Sequence, residues 1–250
     1  MCQSMRGCSG SRPGWIVHVL PEVSCWQLPL DELSLAPSTL HLWRFSLSTN
    51  RPLSELLTLL SKDERQRAER LRDPIKAEQF IIARHALRSI LSRYLDLNRS
   101  ELRFIYNPQG KPELDPQQST RLQFNLSHSC DLAVLAVCFD HAVGIDLEWV
   151  DPQLEHRQLA ERFFTDKERQ QLAQTAPLRI RRSFYRLWTA KEARLKQRGH
   201  GFWNQESSAS AQLSELFVHS VAIGKNFVCT FALEQAPEQV FKFSPEKISR

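Results

Sequence analysis

Ser61-Lys62-Asp63-Glu64-Arg65 and Thr165-Asp166-Lys167-Glu168-Arg169 open two helices in the same way. Each begins with a hydroxyl side chain and carries a glutamate three residues on. The hydroxyl accepts from the glutamate's backbone N–H, and the carboxylate reaches back to the first backbone N–H, closing a capping box. The two segments are 104 residues apart, and Phe80/Phe184 and Leu91/Leu195 share that offset. A strand over 40–47 precedes the first cap, and a strand over 143–149 precedes the second at about the same distance. A constant offset through cap, aromatic and helix face predicts a duplicated α+β unit. It also predicts a cleft between two similar halves, a common place for a ligand.

Working outward, residues 1–38 read as an irregular N-terminal extension. Residues 39–140 form an N-terminal α+β half and 141–250 a C-terminal one. Pro74 interrupts the first helical region. Over 75–95, Phe80, Ala83, Leu87, Ile90, Leu91 and Tyr94 recur at helical spacing. Asn107-Pro108-Gln109-Gly110 is a turn with Lys111 at its exit. Residues 124–126 and 132–139 read as strands of a hairpin that turns about 127–131. A long helix spans 180–196, and 218–233 holds one or two strands.

Composition sets outer bounds. The chain has 250 residues, 42% apolar and 24% charged, with 33 Lys plus Arg against 28 Asp plus Glu and a net charge of +5. That excess suits an anionic ligand or an acidic partner and is too small to demand nucleic acid. Aromatics are 9% and do not interleave with the basic runs, which argues against single-strand binding. The apolar run over 132–139 is too short to span a bilayer, and the N-terminus makes a poor secretory signal. None of the six cysteines forms a C-x-x-C pair. They read as buried free thiols of a reducing cytosol, ahead of disulfides or zinc.

Four segments carry candidate chemistry. In Gly144-Ile145-Asp146-Leu147-Glu148, strand alternation turns both acids to one face and Ile145 and Leu147 to the core. Side-by-side carboxylates repel unless a cation lies between them; on this segment alone a solvated strand face explains them as well. Gly144 suggests close approach of a backbone or ligand. In Trp188-Thr189-Ala190-Lys191-Glu192-Ala193-Arg194-Leu195-Lys196, a helix puts Trp188, Glu192 and Lys196 on one stripe, with Glu192 and Lys196 an i, i+4 ion pair. Asn125-Leu126-Ser127-His128-Ser129 offers hydroxyl and imidazole donors to an anion from a turn, or is simply a polar turn. Among many arginines of the first half, Arg84 stands out beside apolar Ile81, Ile82 and Ala83. Lys111 can reach a phosphate as a point charge.

Together these segments resemble one family. GIDLE at 144–148 and WTAKEARLK at 188–196 are similar to the two signature motifs of the 4'-phosphopantetheinyl transferases. GKPEL at 110–114 and NLSHS at 125–129 match two further motifs of the two-half, Sfp-type branch, in order. The resemblance runs from about Ser61 to Phe202. It implies that Asp146, Glu148 and Glu192 hold magnesium and that Lys196 contacts the phosphates of coenzyme A. It implies further coenzyme A contacts from Lys111, Ser127, His128 and Arg84. It implies transfer of phosphopantetheine to a serine of an apo acyl or peptidyl carrier protein, with Glu192 or a metal-bound water as base and Asp146 and Lys196 also catalytic. The implied molecule is a cytoplasmic monomer without nucleic-acid or membrane partners. Gly199-His200-Gly201 departs from a common Gly-Lys-Gly, and Gln79 stands where some relatives carry a basic residue. Two other readings use the same residues: another metal-dependent phosphate-ester enzyme, and a basic, non-enzymatic binding module.

Overall fold

The computed structural model describes residues 25–95, 97–199 and 216–245. His200 lies outside them. The first half runs β1 (Thr39–Ser46), α1 (Leu53–Leu57), α2 (Lys62–Glu69), α3 (Pro74–Leu91), β2 (Phe104–Tyr106), β3 (Pro112–Leu114), β4 (Leu122–Ser129) and β5 (Leu132–Phe139). The second runs β6 (Gly144–Trp149), α4 (His156–Phe163), α5 (Asp166–Ala173), α6 (Pro177–Gln197), β7 (Phe217–Val221), β8 (Phe227–Leu233) and β9 (Gln239–Phe243).

The duplication is visible in the strand order. In the first half β5 pairs antiparallel with both β1 and β4; in the second β8 pairs antiparallel with both β6 and β7. One unit, strand, three helices and hairpin, occurs twice. Both capping boxes close: Ser61 N–H donates to Glu64 at 2.9 Å and Thr165 N–H to Glu168 at 2.8 Å. Pro74 starts α3 instead of interrupting a helix. Its missing N–H costs nothing at the first turn, and Asp73 caps the next two donors. Tyr94 lies past the end of α3, in a turn.

The C-terminal strand does not stay with its own half. β9 runs parallel to β1, with Leu40 opposite Val240, and completes the first sheet as β4-β5-β1-β9. A division at residue 140 therefore misplaces it. The reason is edge protection: without β9 one side of β1 would present unpaired backbone groups. Gln27, from the segment expected to be irregular, then bridges to β9.

Three apolar layers hold the fold. Trp43, Phe45, Leu87, Leu91 and Leu135 fill the space between the first sheet and its helices. Leu40, Leu42, Val134 and Ala136, on the sheet's other face, pack against Ile145, Leu147 and Phe231 of the second sheet. Phe164, Phe184 and Val228 join α6 to the second sheet's outer side. Cys138 and Cys229 are buried thiols as expected, whereas Cys25 and Cys130 are exposed.

β4 and β6 meet along a polar seam. Asn125 Oδ1 accepts the Ile145 N–H at 2.8 Å, Ser127 Oγ that of Leu147 at 3.2 Å, and Ser129 Oγ that of Trp149 at 3.0 Å. Alternate side chains of one strand thus replace the missing neighbour of another. This corrects the hairpin: β4 continues to Ser129, only Cys130 and Asp131 turn, and Ser127 and His128 stand in a strand.

Gly144 sits where β6 meets α6. A Cβ there would lie 1.9 Å from the Ala193 carbonyl oxygen and 2.4 Å from the Gln197 nitrogen. Both are helix backbone, so neither can step aside. Gly144→Ala is expected to cost at least about 1–3 kcal/mol, read from chemical unfolding. An unchanged unfolding midpoint would show that the helix does not press on this strand.

Candidate active site

Residues from three elements converge at this junction. Even-numbered positions of β6 face α6, because Ile145 and Leu147 are committed to the core. Asp146 is 3% exposed. Its Oδ1 accepts from the Ser127 hydroxyl at 3.1 Å and from the Lys196 ammonium. Its Oδ2 is buried and has no hydrogen-bond partner. The Ser127 hydroxyl also accepts from Lys196 at 3.1 Å. Glu148 is held the same way, by the Ser129 hydroxyl at 3.2 Å. Each serine therefore takes a backbone N–H of β6 and gives its proton to the neighbouring carboxylate.

α6 supplies the opposing wall. Trp188 anchors its stripe against Phe163, Phe164 and Phe184. Helical spacing predicts a Glu192–Lys196 ion pair, but the Lys196 ammonium crosses to Asp146 instead. The physical reason is that a buried carboxylate needs a counter-charge more than one beside solvent does. Desolvation alone would lower the Lys196 pKa; the charge and hydrogen bond of Asp146, with Glu192 and Glu148, reverse this and raise it. Burial raises the Glu192 pKa, and Asp146 adds to the rise against the pull of Lys196. Glu148 is pushed up to about 7, first by burial and then by the Asp146 charge, with Glu192 adding to it.

Behind the acids runs a chain of hydroxyls. Thr189 donates to the Tyr185 carbonyl at 2.9 Å and stands 2.8 Å from the Thr230 hydroxyl, which lies 3.1 Å from that of Ser220. Thr230 is opposite Asp146 in the β6–β8 register.

The other expected site residues form no hydrogen bond with these carboxylates. His128 is exposed on the strand face opposite Ser127. Its pKa is lowered by desolvation and by the Lys196 charge. The Lys111 ammonium donates to the Lys196 carbonyl at 2.9 Å and the Val143 carbonyl at 3.3 Å. Arg84 is inside the first half, 4% exposed, its Nε on Glu64 at 2.7 Å and its Nη2 on the Tyr106 hydroxyl at 2.6 Å. Its placement beside apolar residues reflects this buried ion pair.

Two family models cover most of the chain: "4'-phosphopantetheinyl transferase, N-terminal" matches residues 43–140 and "4'-phosphopantetheinyl transferase superfamily" matches 142–235. The chain is 39% identical over 178 residues to the 4'-phosphopantetheinyl transferase HetI of Nostoc sp. strain PCC 7120, covering 70% of this chain and 75% of HetI. The chain belongs to the 4'-phosphopantetheinyl transferase family. It is also similar to the transferase psf-1 of Bacillus pumilus, at 34% identity over 67% of this chain and 70% of that one. AcpT of Salmonella typhi is 34% identical over 58% of this chain and 72% of its own. The two-half transferase is of the Sfp type and is an enzyme, so the non-enzymatic binding module is set aside.

Among the described residues of the transferase, no three of His, Cys, Asp and Glu converge closely enough to enclose a metal ion by themselves. The donor set still fits a hard divalent cation. It is all carboxylate oxygen. Asp146 Oδ2 is buried without a partner, and repulsion from Asp146 and Glu192 adds to the raised proton affinity of Glu148. Asp146, Glu148 and Glu192 are the residues that would hold it.

Asn125, Ser129, Thr189 and Thr230 position this site; the first three lie within the motifs quoted above and Thr230 lies outside them. The usable signal was alternation. Asn125, Ser127 and Ser129 are polar at every second place, which marks one strand face facing a polar neighbour.

Proposed function

We propose that the transferase moves the 4'-phosphopantetheine group of coenzyme A to a serine hydroxyl of an apo acyl or peptidyl carrier protein, with magnesium as cofactor. The Lys196–Asp146 ion pair, with Glu148 and Glu192 within electrostatic reach of both and Asp146 Oδ2 left unpartnered in the interior, carries this reading. The serine oxygen forms a bond to the β-phosphorus of coenzyme A. The bond from that phosphorus to the bridging oxygen breaks, and its electron pair leaves on 3',5'-ADP. Glu192 takes the serine proton, a role its raised proton affinity suits. Lys196, held by Asp146 and Ser127, turns a fixed positive charge toward the phosphates. Ser127 orients both groups, and exposed His128 donates to a coenzyme A phosphate. Bound magnesium would neutralise charge on the pyrophosphate.

The modest positive charge of +5 supports an acidic carrier as partner. No described helix is long and apolar enough to cross a membrane. A cytoplasmic monomer belongs to the same reading, supported by one chain supplying both walls of the site.

Release of 3',5'-ADP tests the reaction class. It is expected only when coenzyme A, magnesium and an apo carrier are all present. Release without a carrier would make the enzyme a hydrolase.

Magnesium and protons should compete at Glu148. A carboxylate must be deprotonated to ligate a metal, and the pKa of Glu148 lies at about 7. Apparent magnesium affinity is therefore expected to rise as pH increases through that value. Calorimetric titration on either side of neutrality checks the sign; equal affinities would remove Glu148 from the ligand set.

A further inference from the structure

Lys111 and Asn107 lie where the first half touches the end of α6. The Asn107 carboxamide oxygen accepts the backbone N–H of Gln109 at 3.0 Å and of Lys111 at 2.9 Å, fixing the β2–β3 turn. Its amide nitrogen donates across the halves to the Gly199 carbonyl at 3.1 Å. Gly199 has φ +74°, the left-handed geometry that ends a helix. The Lys111 ammonium spans the Lys196 carbonyl and the Val143 carbonyl. The last carbonyls of a helix lack intrahelical donors, and a cation there is favourable. Burial lowers the Lys111 pKa, and neighbouring Lys196 adds to this, so the group is set into the junction.

We propose that Lys111 and Asn107 are positioning residues, a latch that holds the end of α6 against the start of β6. One carbonyl belongs to Lys196, whose ammonium meets Asp146. The other precedes Gly144, the point of closest β6–α6 approach. The latch thereby sets Glu192 and Lys196 against Asp146 and Glu148, and Lys111 is not a phosphate ligand. The kinetic consequence rests on the transfer reading; the structural one does not.

The full chain is compared with Lys111→Met, Lys111→Arg and Asn107→Ala. Lys111→Met is expected to speed backbone hydrogen exchange in the last turn of α6. It should also lower kcat by on the order of tenfold to a hundredfold, with KM for coenzyme A changed by less than about twofold. Lys111→Arg should recover part of the loss, and Asn107→Ala should move both readouts in the same direction. A large rise in KM for coenzyme A, with kcat and exchange unchanged, would make Lys111 a phosphate ligand and overturn the latch. Should Lys111→Met fail to fold, unchanged exchange and kcat in Asn107→Ala would overturn it equally. If the unaltered chain transfers nothing, the functional reading fails, while the exchange measurement still decides the latch.

Discussion

Asp146→Ala is expected to lower kcat/KM for carrier modification by on the order of a thousandfold or more, with the chain still folded. Asp146 accepts from Lys196 and Ser127 on one oxygen and leaves the other buried and unpartnered. Removing it withdraws a carboxylate from the proposed cation site and frees the Lys196 ammonium from its fixed direction. The fold should survive, because the Lys196 side chain is 27% exposed and can turn to water. The sheet keeps its backbone pairing. Asp146→Asn preserves shape and removes only charge, so it should fall nearly as far. Circular dichroism and mass analysis of the carrier separate loss of chemistry from loss of structure. Full activity in Asp146→Asn would show that the charge is not needed.

Glu64→Gln is expected to destabilise the protein by about 3–5 kcal/mol, the cost of breaking a buried ion pair from one side. Glu64 accepts from Arg84 at 2.7 Å, from Arg88 at 2.8 Å and from the Ser61 N–H that it caps. The side chains of both arginines are nearly inaccessible, 5% and 1% exposed, so neither can recover solvation without opening the core. Burial alone would raise the Glu64 pKa; Arg84, the Ser61 N–H and Arg88 outweigh it and hold the carboxyl below its ordinary value. The stability from that depression is present above the ordinary carboxylate range and is lost as pH falls through the folded-state pKa. Urea unfolding near neutral pH and in mild acid measures both effects. A loss under about 1 kcal/mol would mean that water reaches the arginines.

Local and periodic features were legible. The two caps, the long helices and the alternation of Asp146 and Glu148 each depend on residues a few positions apart. The constant offset then announced the duplication. Features that depend on distant partners were not legible. Nothing near 239–243 says that β9 will cross to β1, because the unpaired edge that draws it is 200 residues away. Ser127 and His128 read as a turn because polar residues in succession favour turns. Their strand conformation comes from pairing with β5, opposite Val134 and Ala133, and the Ser127 hydroxyl also takes a backbone N–H of β6. Arg84 and Lys111 look alike as basic candidates for a phosphate. One is neutralised by a glutamate twenty positions earlier and the other by the end of a helix in the opposite half.

The most direct measurement is the mass of an apo carrier protein after incubation with the transferase, coenzyme A and magnesium, tried on fatty-acid, polyketide and nonribosomal-peptide carriers. At least one carrier should gain one phosphopantetheine group on a serine, and the gain should vanish with Asp146→Ala. No gain on any of these carriers, or an undiminished gain with Asp146→Ala, would contradict the assignment of Asp146, Glu148, Glu192 and Lys196 as the transfer site.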